Sequence, residues 1–171
     1  MDRDIFWQMI EDARKRSHGD LEAERLILID ELSKKSEAEI IEFYIIYETV
    51  LSETYHADLW NACTLINCGC HEDGFLNFRA WLIAQGKEIF YQAVNDPETL
   101  VAVVSQDNRH KVRFEVFSYV ALDAYENKTG YELELENIEL PSPGRLVGKL
   151  LEQNKLSAKF PRLAAKLGDC Y

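Results

Sequence analysis

Apolar residues recur three and four positions apart along most of the chain, the spacing that lines up one face of an α-helix. Phe6, Met9, Ile10 and Ala13 begin the pattern, which stops near His18-Gly19. Asp20 is placed to cap a second helix carrying Leu21, Leu28 and Leu32. Ser36 followed by Glu39 forms a capping box that opens the longest helix, over about residues 37–55. Leu59, Ala62, Cys63 and Ile66 predict a short helix ending at Cys68-Gly69. Another spans about residues 73–85 with Gly86 as its stop, and a further turn covers residues 88–94. Asp96-Pro97 restarts a helix, because proline fits the first helical position.

The run "VRFEVFSYVALDAYENKTG" reads as one long apolar helix closed by Gly130, and "YELELEN" alternates as an extended segment would at residues 131–137. "LPSPG" is the clearest break, and weaker helices are expected over residues 145–153 and 160–167. The pattern predicts an all-α bundle with at most one short extended segment. Its organisation is a helical domain over residues 1–140 with a basic helical extension, residues 141–171, packed on it.

The chain has 171 residues, enough for one full core, and a net charge of −11. A nucleic-acid backbone would be repelled over most of such a surface, so a basic protein partner is expected instead. Residues 21–60 carry net −7 and residues 144–169 net +4, so the basic tail is expected to pack on the acidic body. The N-terminal stretch has acids before its apolar residues and no sustained apolar run, which predicts a cytoplasmic protein with no membrane contact. The cysteines Cys63, Cys68, Cys70 and Cys170 are mostly clustered, poor spacing for a disulfide framework, so reduced thiols are expected.

Polar side chains at positions that the pattern wants apolar are the best candidates for chemistry. Glu48 falls in the apolar face of Ile40, Phe43, Tyr44, Tyr47, Val50, Leu51 and Tyr55. Arg79 sits between Phe75 and Ile83, and Asp123 lies within the stripe of Val116, Tyr119 and Val120. Isolated buried charges cost several kcal/mol, so Glu48, Arg79 and Asp123, joined by Asp58, should pair with each other or face a cavity. One reading is a structural ion pair; the other is an anion pocket on Arg79. On the opposite face of the long helix, Glu39, Glu42 and Glu53 surround Ile46, a surface suited to a basic partner.

The corner "NCGCHEDGF" compresses Cys68, Cys70 and His71 into one segment, with His56 and His18 remote, so it reads as a helix stop rather than a zinc site. Cys63 belongs to the apolar stripe and is expected in the core. Asp73 or Glu72 would then supply negative charge to the next helix N-terminus. No glycine elbow surrounds Ser52 or Ser118, and no phosphate loop, two-histidine zinc motif or calcium loop is present. No metal or cofactor is expected.

"FWQMIEDAR", the run from Asp58 through Leu100, and "SYVALDAYENKTG" together resemble the uncharacterised, mainly bacterial family DUF4240, over about residues 6–130. The resemblance rests chiefly on Asp58-Leu59-Trp60, Gly69-Cys70, Asp73-Gly74-Phe75, Phe78-Arg79, Trp81-Leu82-Ile83, Gly86 and Asp96-Pro97. The family pattern has a glycine where Cys68 stands and a small polar residue where His71 stands. Arg79 and Asp73 match it. The family implies no activity. Size and charge suggest a non-enzymatic binding domain, an immunity or antitoxin-like protein covering a basic effector such as a toxin. The alternatives are a ligand-binding or sensory domain with a pocket near Arg79, Trp60 and Trp81, and a hydrolytic enzyme with a carboxylate site near Asp58 and Asp73.

Overall fold

Helix caps written into the sequence divide the chain. The computed structural model describes residues 1–142 and 144–168. The Asp2 side chain accepts from Ile5 N to start α1 (Arg3–Arg16), and Asp20 does the same from Ala23 N for α2 (Leu21–Ser33). The Ser36–Glu39 capping box opens α3 (Glu37–Ser52). These side chains satisfy orphan N–H groups that a helix start would otherwise leave bare.

α4 (Ala57–Asn67) has no such side-chain cap. Its first N–H, that of Ala57, donates instead to Val147 O at 2.8 Å, and Val147 N returns a bond to Tyr55 O at 3.4 Å. The parallel bridge between His56 and Val147 marks this contact. Residues 145–151 therefore run as an extended strap along the start of α4, not as the expected helix. Asn61 ties the strap further, donating to Lys149 O at 3.0 Å and accepting from Leu151 N at 2.9 Å. Gly148 has φ 94°, and a side chain there would meet the Ala57 Cβ at 3.1 Å, so the close approach needs glycine.

The chain continues through α5 (Glu72–Ala84) and α6 (Lys87–Asn95), then 3-10 turns at Pro97–Ala102, Arg109–Lys111 and Glu115–Tyr119, and α7 (Val120–Thr129). The long apolar run is thus a 3-10 turn followed by a shorter α-helix. Leu135–Asn137 is another 3-10 turn, and no strand forms among the described residues. α8 (Gln153–Lys159) and α9 (Pro161–Leu167) close the described chain.

α2 packs against α1 and α7, α3 against α7, and α5 against the Glu115–Tyr119 turn. Phe6, Trp7, Phe43, Phe75, Phe78, Phe90 and Phe117 are fully buried at the centre. Leu156, Phe160, Leu163 and Leu167 of the two last helices belong to the same core. Among the described residues two ion contacts join tail to body, Lys159 to Asp58 at 3.2 Å and Arg162 to Glu98 at 3.9 Å. Among the described residues no helix is long and apolar enough to cross a membrane.

Candidate functional site

Arg79 lies one helical turn from Phe75 and one from Ile83, both fully buried, so its stem must start from the core face of α5. Its guanidinium does not stay with an acid there. It lies over two rings, 4.9 Å from the Phe75 centroid and 5.2 Å from that of Tyr55. Nη1 donates a long bond to Leu51 O at 3.4 Å, and the buried Nε has no hydrogen-bond partner among the described residues.

The guanidinium lines a cavity of about 540 Å³. α3 contributes Glu48, Leu51 and Ser52 to its wall, Tyr55 follows from the α3–α4 connection, and Glu72 comes from the first turn of α5. The far side is Leu140, Pro141 and Gly144 of the irregular chain before the strap. The proline-rich break is therefore part of a wall, although its Pro143 lies outside the described residues.

Glu48 is half-buried, and desolvation pushes its carboxyl up, with Arg79 pulling the other way. Burial holds the Arg79 guanidinium below its ordinary value, offset by Tyr47, Tyr55, Glu48 and Glu72. Tyr47, buried behind them, has a hydroxyl with no partner among the described residues and a phenol pushed up by burial. Among the described residues the cavity thus holds one cation, two nearby acids and apolar walls, but no close ion pair.

The other polar positions singled out by the pattern go elsewhere. Asp123 pairs with Arg25, Oδ2 to Nη1 at 2.9 Å, and Asp58 pairs with Lys159. Asp73 is exposed in the first turn of α5. Trp60 stacks on Phe75 at 4.6 Å, behind Arg79, while its Nε1 donates to Cys70 O. Trp81 lines a different cavity of about 770 Å³, with Arg14, Lys111 and Arg113. That cavity is larger, but Lys111 and Arg113 are exposed and among the described residues none of the side chains lining it has a buried unpartnered polar atom, so the Arg79 cavity is the better candidate.

On the opposite face of α3, each acid has a partner within the chain. Glu39 closes the capping box, Glu42 meets the Met1 amino group, and Glu53 meets Arg3. Ile46 is half-buried against the core.

Four residues carry roles not singled out from the sequence. Tyr55 and Glu72 were read as core and helix-dipole residues, yet both line the cavity. Glu24 is completely buried, and neither of its oxygens is hydrogen-bonded among the described residues. The signal was present: Glu24 falls between Leu21 and Leu28 at helical spacing, the same argument that singled out Arg79. Arg109 is buried and donates to Ile66 O at 2.8 Å, Leu65 O at 3.0 Å and Leu167 O at 3.0 Å, tying the C-terminal ends of α4 and α9 together. No periodicity flags it, because it lies in a short 3-10 turn.

The cysteines also correct the sequence reading. Cys68 is disulfide-bonded, so the expectation of reduced thiols fails there. Spacing along a chain does not report which sulfurs meet in space. Cys63 and Cys70 are free, and Cys170 lies outside the described residues.

The architecture can now be set beside known proteins. The profile of the family described as "Protein of unknown function (DUF4240)" matches residues 1–127, about three-quarters of the chain. The chain belongs to the DUF4240 family. The match takes in α1 to α6 and most of α7, and so includes Arg79, Glu48, Tyr55 and Glu72 of the candidate site. The cavity wall at Leu140, Pro141 and Gly144, and the strap behind it, lie beyond the matched part of this DUF4240 chain. No curated protein and no solved structure matches the chain.

Proposed function

We propose that the domain binds a small ligand bearing a carboxylate or phosphate group, held by Arg79 in the cavity between α3, α5 and residues 140–144. The observation that carries this reading is the Arg79 side chain. It is a half-buried guanidinium lining a cavity, with an Nε that has no partner and no carboxylate at ion-pair distance among the described residues. A guanidinium recognises carboxylate and phosphate oxygens through paired N–H donors, and the rings of Phe75 and Tyr55 hold its plane in one orientation. A group buried at that cost is better explained by a ligand than by packing, since an aliphatic side chain would fill the same space without desolvation.

Glu48 and Glu72 on the same wall narrow the ligand. They repel a polyanion and favour one anionic group with a neutral or cationic remainder, as in an amino-acid-like molecule. The apolar wall of Leu51, Leu140 and Pro141 would take an aliphatic or aromatic portion.

The reading as a protein-binding domain with an acidic face toward a basic partner is the less supported. Glu39, Glu42 and Glu53 already have partners within the chain, and displacing those contacts would offset part of any gain. A hydrolytic site at Asp58 and Asp73 has less behind it again, since Asp58 is held by Lys159 and both are exposed.

The test is a thermal-shift screen of amino acids, carboxylic acids and phosphate esters against the wild-type chain and Arg79→Ala. Saturation at about a hundred times Kd should raise stability by about 2.7 kcal/mol. A stabilising ligand whose effect disappears in Arg79→Ala supports the site. Equal stabilisation of both proteins, or none across the panel, rejects it.

A further inference from the structure

The corner between α4 and α5 holds two sulfurs that the Arg79 site does not use. Cys63 lies toward the end of α4 and is fully buried. α4 ends at Cys68, whose left-handed φ of 58° and the φ of 131° at Gly69 turn the chain back toward its own helix. Trp60 Nε1 then donates to Cys70 O at 2.9 Å and holds the returning backbone. The result is a Cys63 Sγ to Cys70 Sγ distance of 2.6 Å. A covalent S–S bond is about 2.05 Å, so the two sulfurs stand within a small displacement of bonding. Cys70 is only half-buried, which leaves one sulfur of the pair open to a reagent.

We propose that Cys63 and Cys70 form a reversible dithiol–disulfide modification site, oxidised through Cys70 by a low-molecular-weight disulfide of the glutathione class. This does not depend on the ligand reading of Arg79. The attacking sulfur is set by access and by acidity. Burial pushes the Cys63 thiol up, whereas the contact with Cys63 holds Cys70 down.

Cys70 gives up its proton and its thiolate attacks one sulfur of oxidised glutathione. The Cys70–glutathione S–S bond forms as the glutathione S–S bond breaks, and one glutathione leaves as thiolate and takes a proton. Cys63 Sγ then attacks Cys70 Sγ, forming the protein disulfide and expelling the second glutathione, which takes the Cys63 proton. Two thiols and one oxidised glutathione become one protein disulfide and two reduced glutathiones.

The experiment equilibrates the full chain, without oxygen, in buffers of varied reduced-to-oxidised glutathione ratio. Samples are quenched by alkylation in denaturant, cut between Cys63 and Cys70 at Leu65 or Ile66, and read by mass spectrometry. The expected result is loss of alkylation at Cys63 and Cys70 together, with one midpoint, a peptide cross-linked between them, and full recovery in reduced glutathione. Cys63→Ala, its helical content checked first, should instead keep a stable glutathione adduct on Cys70. Wild-type chain that accumulates that adduct, keeps both residues alkylated at the oxidising extreme, or cross-links Cys70 to Cys68 overturns the proposal.

Discussion

The guanidinium carbon of Arg79 rests 4.9 Å from the ring centroid of Phe75, one helical turn before it, and this ring takes the place that a carboxylate was expected to fill. Cation–π contact is directional but weak compared with a buried ion pair, at about 0.5 to 1 kcal/mol at exposed sites and about 2 kcal/mol when desolvated. The difference has a measurable consequence for stability.

Arg79→Ala loses two ring contacts, a long bond to Leu51 O and the packing of its stem, and in return removes a desolvated charge. The net cost is expected at about 1 to 2 kcal/mol in urea unfolding. A loss above about 3 kcal/mol would mean that removing Arg79 strands a buried acid after all. Loss of ligand response with this modest destabilisation separates binding from architecture.

Glu24 makes stability depend on pH. Burial, opposed by Arg14, raises its carboxyl from 4.5 to about 8, so the folded chain binds a proton that the unfolded chain has already released. Below about pH 4.5 both states are protonated and the contribution is fully present; it is lost as pH rises to about 8. Glu24→Gln cannot ionise, so it should gain on wild type across that window by an amount on the order of a few kcal/mol. Parallel urea midpoints of the two proteins from pH 5 to 9 would refute the burial of an ionisable Glu24.

How far this could be read in the sequence depended on whether a residue's partners are local. The caps at Asp20 and Ser36 act within three residues, and both form as expected. Arg79 was found by helical phase because Phe75, Arg79 and Ile83 share one unbroken α-helix. Asp123 was misplaced by the same argument. Glu115–Tyr119 is a 3-10 turn, with about 3.0 residues per turn, so a phase carried from Val116 into α7 is wrong. Val116 and Tyr119 are accordingly exposed and Asp123 reaches Arg25. The strap was invisible for a different reason. Leu146, Val147, Leu150 and Leu151 have helical spacing, yet their backbone satisfies α4, a partner some ninety positions away.

Asn61 tests the strap. Its side chain is buried and bonded to both Lys149 O and Leu151 N, so Asn61→Ala removes the partner of two part-buried backbone groups. Each costs about 1 to 3 kcal/mol when water cannot replace the bond. Hydrogen exchange should quicken at Leu151 and at Ala57, whose N–H depends on Val147 O. Unchanged protection at Ala57 would show that the strap holds α4 without Asn61.

Arg109 makes the strongest structural prediction, because one side chain serves two helix ends. Two carbonyls in the last turn of α4, those of Leu65 and Ile66, and that of Leu167 at the end of α9 all accept from its guanidinium, at positions where a helix leaves its carbonyls short of intrahelical donors. A cation at a helix C-terminus also complements the helix dipole, here twice over. Hydrogen bonds to a charged donor are worth about 1.5 to 3 kcal/mol each but do not simply add, so Arg109→Leu should cost about 3 to 5 kcal/mol. Arg109→Lys should recover less than half of that. An ammonium keeps the charge but lacks the planar fork that reaches both helices at once. Urea unfolding followed by circular dichroism gives both numbers. If leucine costs under about 1 kcal/mol, the three carbonyls are finding water and α9 does not depend on this residue for its place beside α4.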